Sequence, residues 1–303
     1  MNHPGHPYLT EGDHLMCERI RHSFLTGRSK EKHPSHFLFY LVLFVFIFTL
    51  SHSDSFAQRI TSQAAVIMDA STGEILYGKN SDNLLAPAST TKLMTAIVVL
   101  EKANLPDVVT ISPRASHVHP SRVGFKAGDR VTIEGLLYAA LLKSGNDAAV
   151  ALAEAVAGSE DRFVTLMNQK AVSIGAGNTK FINATGLPGR GQYITALDLS
   201  RIMRYAMGFP KLTEILATPA AEVSTEKGKA ILLRNTDKLL WSDEEVIGGK
   251  TGYTCSAKHC FVFAAQRHRK TIIVSLLGSP SRRNLWKEAR KLSDKGFQMM
   301  AQN

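Results

Sequence analysis

Ser89 and Lys92, in Pro87-Ala-Ser-Thr-Thr-Lys92, stand three residues apart where a loop gives way to the apolar run Leu93, Met94, Ile97, Val98 and Leu100. On a helix opening at Ser89 the two side chains share a face. A hydroxyl is a poor nucleophile and a free lysine is protonated at neutral pH, so the pair does chemistry only where the amine is held neutral. Burial does this, because desolvation disfavours the ammonium form. From Leu93 to Leu100 only Thr95 and the small Ala96 interrupt the large apolar side chains, which marks a helix packed inside a domain. The same spacing also fits a helix cap followed by a solvated lysine, and S-x-x-K recurs at Ser29 to Lys32 and at Ser224 to Lys227. The motif therefore takes its meaning from what accompanies it.

Two further groups carry suitable chemistry. Ser144-Gly145-Asn146 breaks between two helical stretches, and on a tight turn its hydroxyl and amide can point into one cleft. The bare S-x-N pattern is weak, since Ser81-Asp82-Asn83 matches it in a loop that an Asx turn explains. Lys250-Thr251-Gly252 lies in Val246-Ile247-Gly248-Gly249-Lys250-Thr251-Gly252-Tyr253, a strand with three glycines. Glycine weakens a strand interior, so three of them point to another backbone in close approach, for which an extended peptide added to the strand is the expected occupant. A bulged edge strand with a solubilising lysine is the plainer alternative.

The surrounding elements must bring these groups together. Residues 64–70 and 74–78 read as two short strands joined at Ser71-Thr72-Gly73. The central helix runs from Ser89 to about Ala103, and 107–131 alternate and turn as short strands and loops. From about 132 to 208 the period is helical, with breaks at Ser144-Gly145-Asn146, Gly158-Ser159 and Gly186-Leu187-Pro188-Gly189. Strand-like runs return at 230–233, 245–254, 260–266 and 271–278, so this helical subdomain is expected as an insertion between two portions of a sheet. A last helix from Ser281 to about Met300 puts Leu285, Ala289, Leu292 and Gly296 on one stripe and Arg282, Arg283, Lys287, Arg290 and Lys291 on the other face. That face suits either solvent, above a helix covering the sheet, or a membrane surface.

Residues 37–50, FLFYLVLFVFIFTL, are too short to span a bilayer comfortably but suit the core of a signal peptide. Basic residues precede the run and Ser55-Phe56-Ala57 follows it, so residues 1–57 are expected to be a signal peptide cleaved before Gln58; an uncleaved anchor is the alternative. Five basic and five acidic residues leave with this segment, and the net charge stays at +10. An exported domain of that charge favours anionic surroundings, either a wall polymer or the membrane surface as a peripheral contact. No basic run with interleaved aromatics appears, and nucleic acid is not the expected partner. Of three cysteines, Cys17 lies in the leader; Cys255 and Cys260 can face each other across a hairpin as a disulfide or remain as thiols. With His259 they lack a fourth ligand at a convincing metal-site spacing.

The order S-x-x-K, S-x-N, K-T-G on a buried helix, an interhelical turn and a Gly-rich strand is far more specific than any one member. With AAVIMDASTGEILYGKNSDNLLAPASTTKLMTA, LLKSGNDAAVALAEAVAGS, FINATGLP and VIGGKTGYT, it makes the chain resemble the penicillin-binding serine DD-peptidases, above all the low-molecular-weight D-alanyl-D-alanine carboxypeptidases. The resemblance implies an α/β fold of the α+β kind, β-lactamase/transpeptidase-like, with an antiparallel sheet flanked by helices and residues 58–303 as the catalytic domain. It implies that Ser89 attacks the carbonyl between two D-alanines of a peptidoglycan stem peptide, Lys92 takes its proton and Ser144 relays one to the leaving amine. Asn146 would orient the peptide, Lys250 and Thr251 would hold the terminal carboxylate, and Gly252 and Tyr253 would line the substrate strand. Backbone N–H groups of Ser89 and Tyr253 would form the oxyanion hole. Neither metal nor cofactor is implied, and β-lactams are the implied covalent inhibitors. Asn183, Gly186 and Leu187 read as a structural loop beside the cleft. Relatives often carry an arginine where Leu285 falls, which leaves Arg282 or Arg283 as substitutes. The glutamate-bearing E-x-x-L-N loop of class A β-lactamases is missing after Asn146, and an endopeptidase acting on peptidoglycan cross-links is the other alternative.

Overall fold

The computed structural model describes residues 60–302; the expected leader, its cleavage point and Cys17 lie outside the described residues. The chain opens with strands β1 (Ala64–Asp69) and β2 (Ile75–Lys79), followed by helix α1 (Lys92–Lys102). Strand β3 (Val108–Thr110), helix α2 (Pro113–His117) and strand β4 (Arg130–Thr132) come next. Helices α3 (Ile133–Leu142), α4 (Asn146–Ala157), α5 (Glu160–Ser173), α6 (Ala196–Ala206) and α7 (Pro210–Ala217) follow. The last part holds β5 (Ala220–Ser224), β6 (Ala230–Arg234), β7 (Val246–Thr254), β8 (Lys258–Arg267), β9 (Lys270–Ser279) and helix α8 (Arg282–Gln302).

The main sheet has the order β2-β1-β9-β8-β7 and every neighbouring pair is antiparallel. β1 pairs with β9 across almost the whole chain, so the sheet forms only when its first and last parts meet. The expected antiparallel sheet flanked by helices is therefore present. Alternation along the strands divides them between two cores. Ala65, Ile67, Phe261, Phe263, Ile272 and Val274 face Leu285, Ala289, Leu292 and Phe297 of α8. Val66, Met68, Val262, Ala264, Ile273 and Leu277 face the other way, into the core that contains Leu93 and Ile97 of α1 and Leu199 and Ile202 of α6. Both faces are covered, which is why these strands read as unbroken apolar runs. Each Leu- or Ile-sized side chain buried there contributes roughly 1.5–3 kcal/mol. The apolar stripe of α8 thus covers the sheet, while Arg282, Arg283, Lys287 and Arg290 on its other face stay exposed. No helix of the described residues is long and apolar enough to cross a membrane.

Side-chain caps start most helices. Thr132 accepts from the Gly135 N–H at α3, Ser159 from Arg162 at α5, and Thr195 from Asp198 at α6. Ser112 caps α2, and Pro113 fills its first turn. That short helix lies inside 107–131, where the sequence suggested only strands and loops. The hairpin between β7 and β8 settles the cysteines. Gly252 is the register partner of Cys260, so Cys255 falls beyond the last pair, in the turn. Cys255 is exposed, Cys260 is wholly buried, and both are free, so the disulfide alternative is not formed. Burial pushes the Cys260 thiol up to about 12, and it is a small apolar residue of the core.

Candidate active site

α1 starts without a side-chain cap. A 3-10 turn, Ala88–Thr91, leads into it, and neither Pro87 nor Thr91 makes a capping bond at the two junctions. The Ser89 hydroxyl is therefore not spent on the helix end. Its Oγ lies 3.1 Å from Lys92 Nζ. Lys92 has no exposed surface, and Nζ also donates to Asn146 Oδ1 and to the Thr185 carbonyl, each at 2.7 Å. Burial is the largest cause holding this amine well below the usual lysine value; the charge of Lys250 adds to it and Asp147 opposes it. A neutral amine has two N–H groups and one lone pair. In that form the two carbonyl oxygens would take the N–H groups and the lone pair would be left for the Ser89 hydroxyl proton. The Asn146 amide is oriented by its other end, whose Nδ2 donates to the His119 carbonyl at 2.9 Å.

The backbone around Ser89 is shaped to this end. Ala88 has a φ of +48°, a left-handed conformation uncommon outside glycine. Its carbonyl presses on Gly186, where an added Cβ would come 1.8 Å from that oxygen, at a φ of +81°. Only glycine fits there. Asn183 holds the Gly186 loop, since its Oδ1 accepts the N–H groups of Thr185 and Gly186, and Nδ2 donates to the Leu187 carbonyl. On the other side β7 passes directly against the serine turn: a Cβ on Gly252 would lie 2.9 Å from the Ser89 nitrogen. The close approaches that its glycines permit are thus made by the chain itself, by Leu216 at Gly248, by Phe263 and Val262 at Gly249 and by the serine turn at Gly252. β7 is also an edge strand of the sheet, so its outer edge remains open beside the cleft.

Ser144 sits between α3 and α4 with a φ of +62°. Its Oγ accepts from Lys250 Nζ at 3.1 Å, and the same ammonium donates to the Thr251 carbonyl at 2.9 Å. Lys250 is 1% exposed. Burial brings its pKa down to about 7 against the opposing pull of Asp237, whose own carboxyl is pushed up to about 7, chiefly by burial. Each serine thus has a buried lysine behind it. The cleft between them, about 270 Å³, is walled by Ser89, Ser144, Asn146, Thr251, Gly252 and Tyr253, with Gly186, Leu187 and Arg282 at its margins. Six of the eight expected site residues line it, and the other two reach it through a hydrogen bond, Lys92 to Ser89 and Lys250 to Ser144. A larger hollow of about 850 Å³ near Thr72 and Arg204 has no serine beside a buried lysine among the described residues.

Several residues that shape the site gave no signal in the sequence. Thr185 acts through its backbone carbonyl, which any residue type supplies. Asp147, wholly buried, accepts the N–H groups of Val123, Gly124, Phe125 and Ala148. It fixes the loop whose Ser121 carbonyl receives the Asn146 N–H at 2.7 Å and whose Pro120 and Ser121 wall the cleft. An acid beside Asn146 in the sequence was visible, but the loop it ties down was not. Thr236 brings its hydroxyl 2.7 Å from that of Thr251. Leu285 is buried under the cleft and Arg282, one turn earlier, presents the cation at its margin.

Comparison with known proteins places the chain in a family. The profile of the D-alanyl-D-alanine carboxypeptidase family matches residues 51–281. The D-alanyl-D-alanine carboxypeptidase DacF of Bacillus subtilis is 34% identical over 241 residues, a match covering 78% of this chain and 62% of DacF, so the chain spans less than two thirds of that relative's length. A crystal structure of a D-alanyl-D-alanine carboxypeptidase from Mycobacterium tuberculosis superposes with a TM-score of 0.76 at 34% identity, covering 79% of this chain and 92% of that one. The crystal structure of a Streptomyces DD-transpeptidase superposes with a TM-score of 0.75 at 35% identity, over 79% and 98% of the two chains. By profile, by sequence and by the paired serines and lysines of its cleft, the chain belongs to the D-alanyl-D-alanine carboxypeptidase family.

Proposed function

We propose that this chain is a serine D-Ala-D-Ala carboxypeptidase that removes the terminal D-alanine from peptidoglycan stem peptides through an acyl-enzyme on Ser89. The observation that carries the reading is the Lys92 amine, wholly buried, held by that burial well below the usual lysine value, and hydrogen-bonded to Ser89, Asn146 and Thr185. Ser89 Oγ attacks the carbonyl between the two D-alanines as its proton passes to Lys92. The N–H groups of Ser89 and Tyr253 hold the oxyanion, with each donor contributing about 3 kcal/mol. The C–N bond then breaks, and the leaving D-alanine amine takes a proton relayed through Ser144. Water hydrolyses the ester and Lys92 again handles the proton. Asn146 orients the peptide, and the Thr251 hydroxyl with Arg282 faces its terminal carboxylate, while Lys250 supports this end of the site from behind Ser144.

The assay is release of D-alanine from diacetyl-Lys-D-Ala-D-Ala. The expected result is release at a measurable kcat/KM, together with penicillin trapped as an adduct that turns over slowly, for lack of the β-lactamase loop. A protein that neither releases D-alanine nor retains penicillin overturns the reading, and rapid penicillin turnover moves it to a β-lactamase. The substrate lies outside the cytoplasm, so the reading includes export by the leader and a site of action in the periplasm or on the wall side of the membrane. Amino-terminal sequencing of native protein is expected to begin at Gln58; a retained 37–50 segment means an anchor instead.

A further inference from the structure

Asp237, in the connection between β6 and β7, is a buried carboxylate that takes no part in the steps at Ser89 and Ser144. It has no exposed surface. Its Oδ1 accepts the Leu239 N–H at 2.8 Å, and its Oδ2 has no hydrogen-bond partner. The other wholly buried aspartates among the described residues are satisfied at both oxygens. Those of Asp147 accept backbone N–H groups, and those of Asp198 are taken by Arg201 and Thr179. Burying a carboxylate is costly unless its oxygens are paired, so a merely structural role does not account for Asp237. The connection runs along β7 in step with it. Thr236 brings its hydroxyl to that of Thr251, and the next residue, Asp237, is buried as Lys250 is on β7. The Lys250 ammonium has three N–H groups. Ser144 Oγ and the Thr251 carbonyl take two, and the third has no acceptor among the described residues. A spare donor and a spare acceptor are thus buried behind the same end of the cleft, and the charge of each acts on the other.

We propose that Asp237 is a positioning residue of the reaction: its carboxylate is the counter-charge that keeps the Lys250 ammonium charged behind Ser144 and, through Lys250, keeps the Lys92 amine neutral behind Ser89. The proposal rests on the carboxypeptidase reading of Ser89. A wholly buried ammonium with no opposite charge sheds its proton, because burial penalises only the charged form. Asp237 opposes that loss at Lys250. The charge so retained acts in turn on Lys92, where it adds to burial in disfavouring a second buried cation. Without Asp237, Lys250 would lose the charge that assists Ser144, and Lys92 would lose one of the causes that keep it a base. The surrounding charges leave Asp237 in this role. Asp243, in the turn after Trp241, pushes the Asp237 carboxyl further up, and Asp147 of α4 acts on Lys92 in the opposite sense to Lys250. Lys143, Lys238, Lys258 and Arg282 are exposed to solvent. His259 of β8 is held below its usual value by burial and by Arg282. On the elements packed against β7, Lys211 and Glu214 of α7 pair with each other, and Arg267 of β8 pairs with Glu245 and Asp294.

The test is the pH dependence of two rates, acylation by a fluorescent penicillin and D-alanine release from diacetyl-Lys-D-Ala-D-Ala, in wild type, Asp237→Asn, Lys250→Gln and the double variant. Asparagine keeps Oδ1 for the Leu239 N–H and puts its Nδ2 where the unpartnered oxygen stands, so it removes the charge and keeps the turn; Tm is expected to hold. Wild-type kcat/KM falls on the alkaline side as Lys250 loses its proton. In Asp237→Asn that fall moves to lower pH by about one unit, which makes the variant about tenfold slower on this limb and equal to wild type on the acid side. In the Lys250→Gln background the Asp237→Asn change adds no further loss, because the group through which it acts is gone. An alkaline limb that stays in place overturns the proposal. So does an equal loss at every pH with a lowered Tm, which makes Asp237 a clamp of the turn, and so does a loss that adds in full to that of Lys250→Gln. A wild type that acylates but releases no D-alanine overturns the carboxypeptidase reading alone, and the acylation profiles still decide the role of Asp237. A wild type that does neither overturns both.

Discussion

Ser89→Ala is expected to abolish covalent labelling by penicillin and to lower kcat/KM for D-alanine release by roughly 10⁴-fold or more, with Tm unchanged. The size follows from chemistry: alanine has no atom that can form the ester, so what survives is the acceleration due to binding and the oxyanion donors. Stability is spared because the hydroxyl supports little structure. It does not cap the helix, and its hydrogen-bond partner is Lys92, whose amine keeps the Asn146 and Thr185 oxygens. The other S-x-x-K in the described residues is no rival. Ser224 ends β5 and Lys227 follows in a turn, both exposed, so nothing removes water from that amine. Ser29 to Lys32 lies outside the described residues. Intact labelling of the alanine variant, read by mass spectrometry of the adduct, would place the nucleophile elsewhere.

The parts of this architecture that were legible in the sequence are those whose signal is local. The unbroken apolar runs of β1, β8 and β9 mark buried strands, and the packed apolar stretch of α1 marks a helix with no solvent face. Because strand-like runs stand on both sides of the helical stretch 132–208, that stretch read as an insertion between portions of the sheet. Short amphipathic elements were less visible. α7 has eight residues and β5 five, and their alternation is too brief to separate strand from helix or loop without the tertiary contacts that select one. In the site, motif order singled out Ser89, Lys92, Ser144, Asn146 and the Lys250 strand, which the fold brings to one cleft. It did not reveal that Thr185 contributes a carbonyl, that Ala88 adopts a positive φ or that Asp147 ties down a loop some two dozen residues earlier. Backbone acceptors and loop clamps have no residue-type signature. The glycines of β7 show the limit of such a signature: they do mark close approach, but the sequence does not say by what.

Lys250→Gln is expected to lower kcat for D-alanine release by about ten- to a hundredfold while KM changes little, a split that separates two roles for this lysine. A lysine that held the substrate carboxylate directly would appear mainly in KM. Its ammonium, however, is buried and donates to Ser144 Oγ and to the Thr251 carbonyl, and it is not among the groups that wall the cleft. Because the Ser144 oxygen accepts from Lys250, its own O–H is left free for the cleft, where the proposed mechanism has it protonate the leaving amine. Glutamine is shorter and cannot make that bond, so Ser144 loses both its orientation and the positive charge that favours proton release. Removing one partner of a charge-assisted bond costs about 1.5–3 kcal/mol, which corresponds to the predicted fall. The contrasting variant is Thr251→Val, which keeps shape and removes a hydroxyl from the wall itself; it should raise KM for the free carboxylate and leave kcat closer to wild type. Steady-state kinetics on one peptide therefore decide the matter. If Lys250→Gln raises KM and spares kcat, the lysine reaches forward to the carboxylate once substrate is bound, and the proton relay through Ser144 does not depend on it.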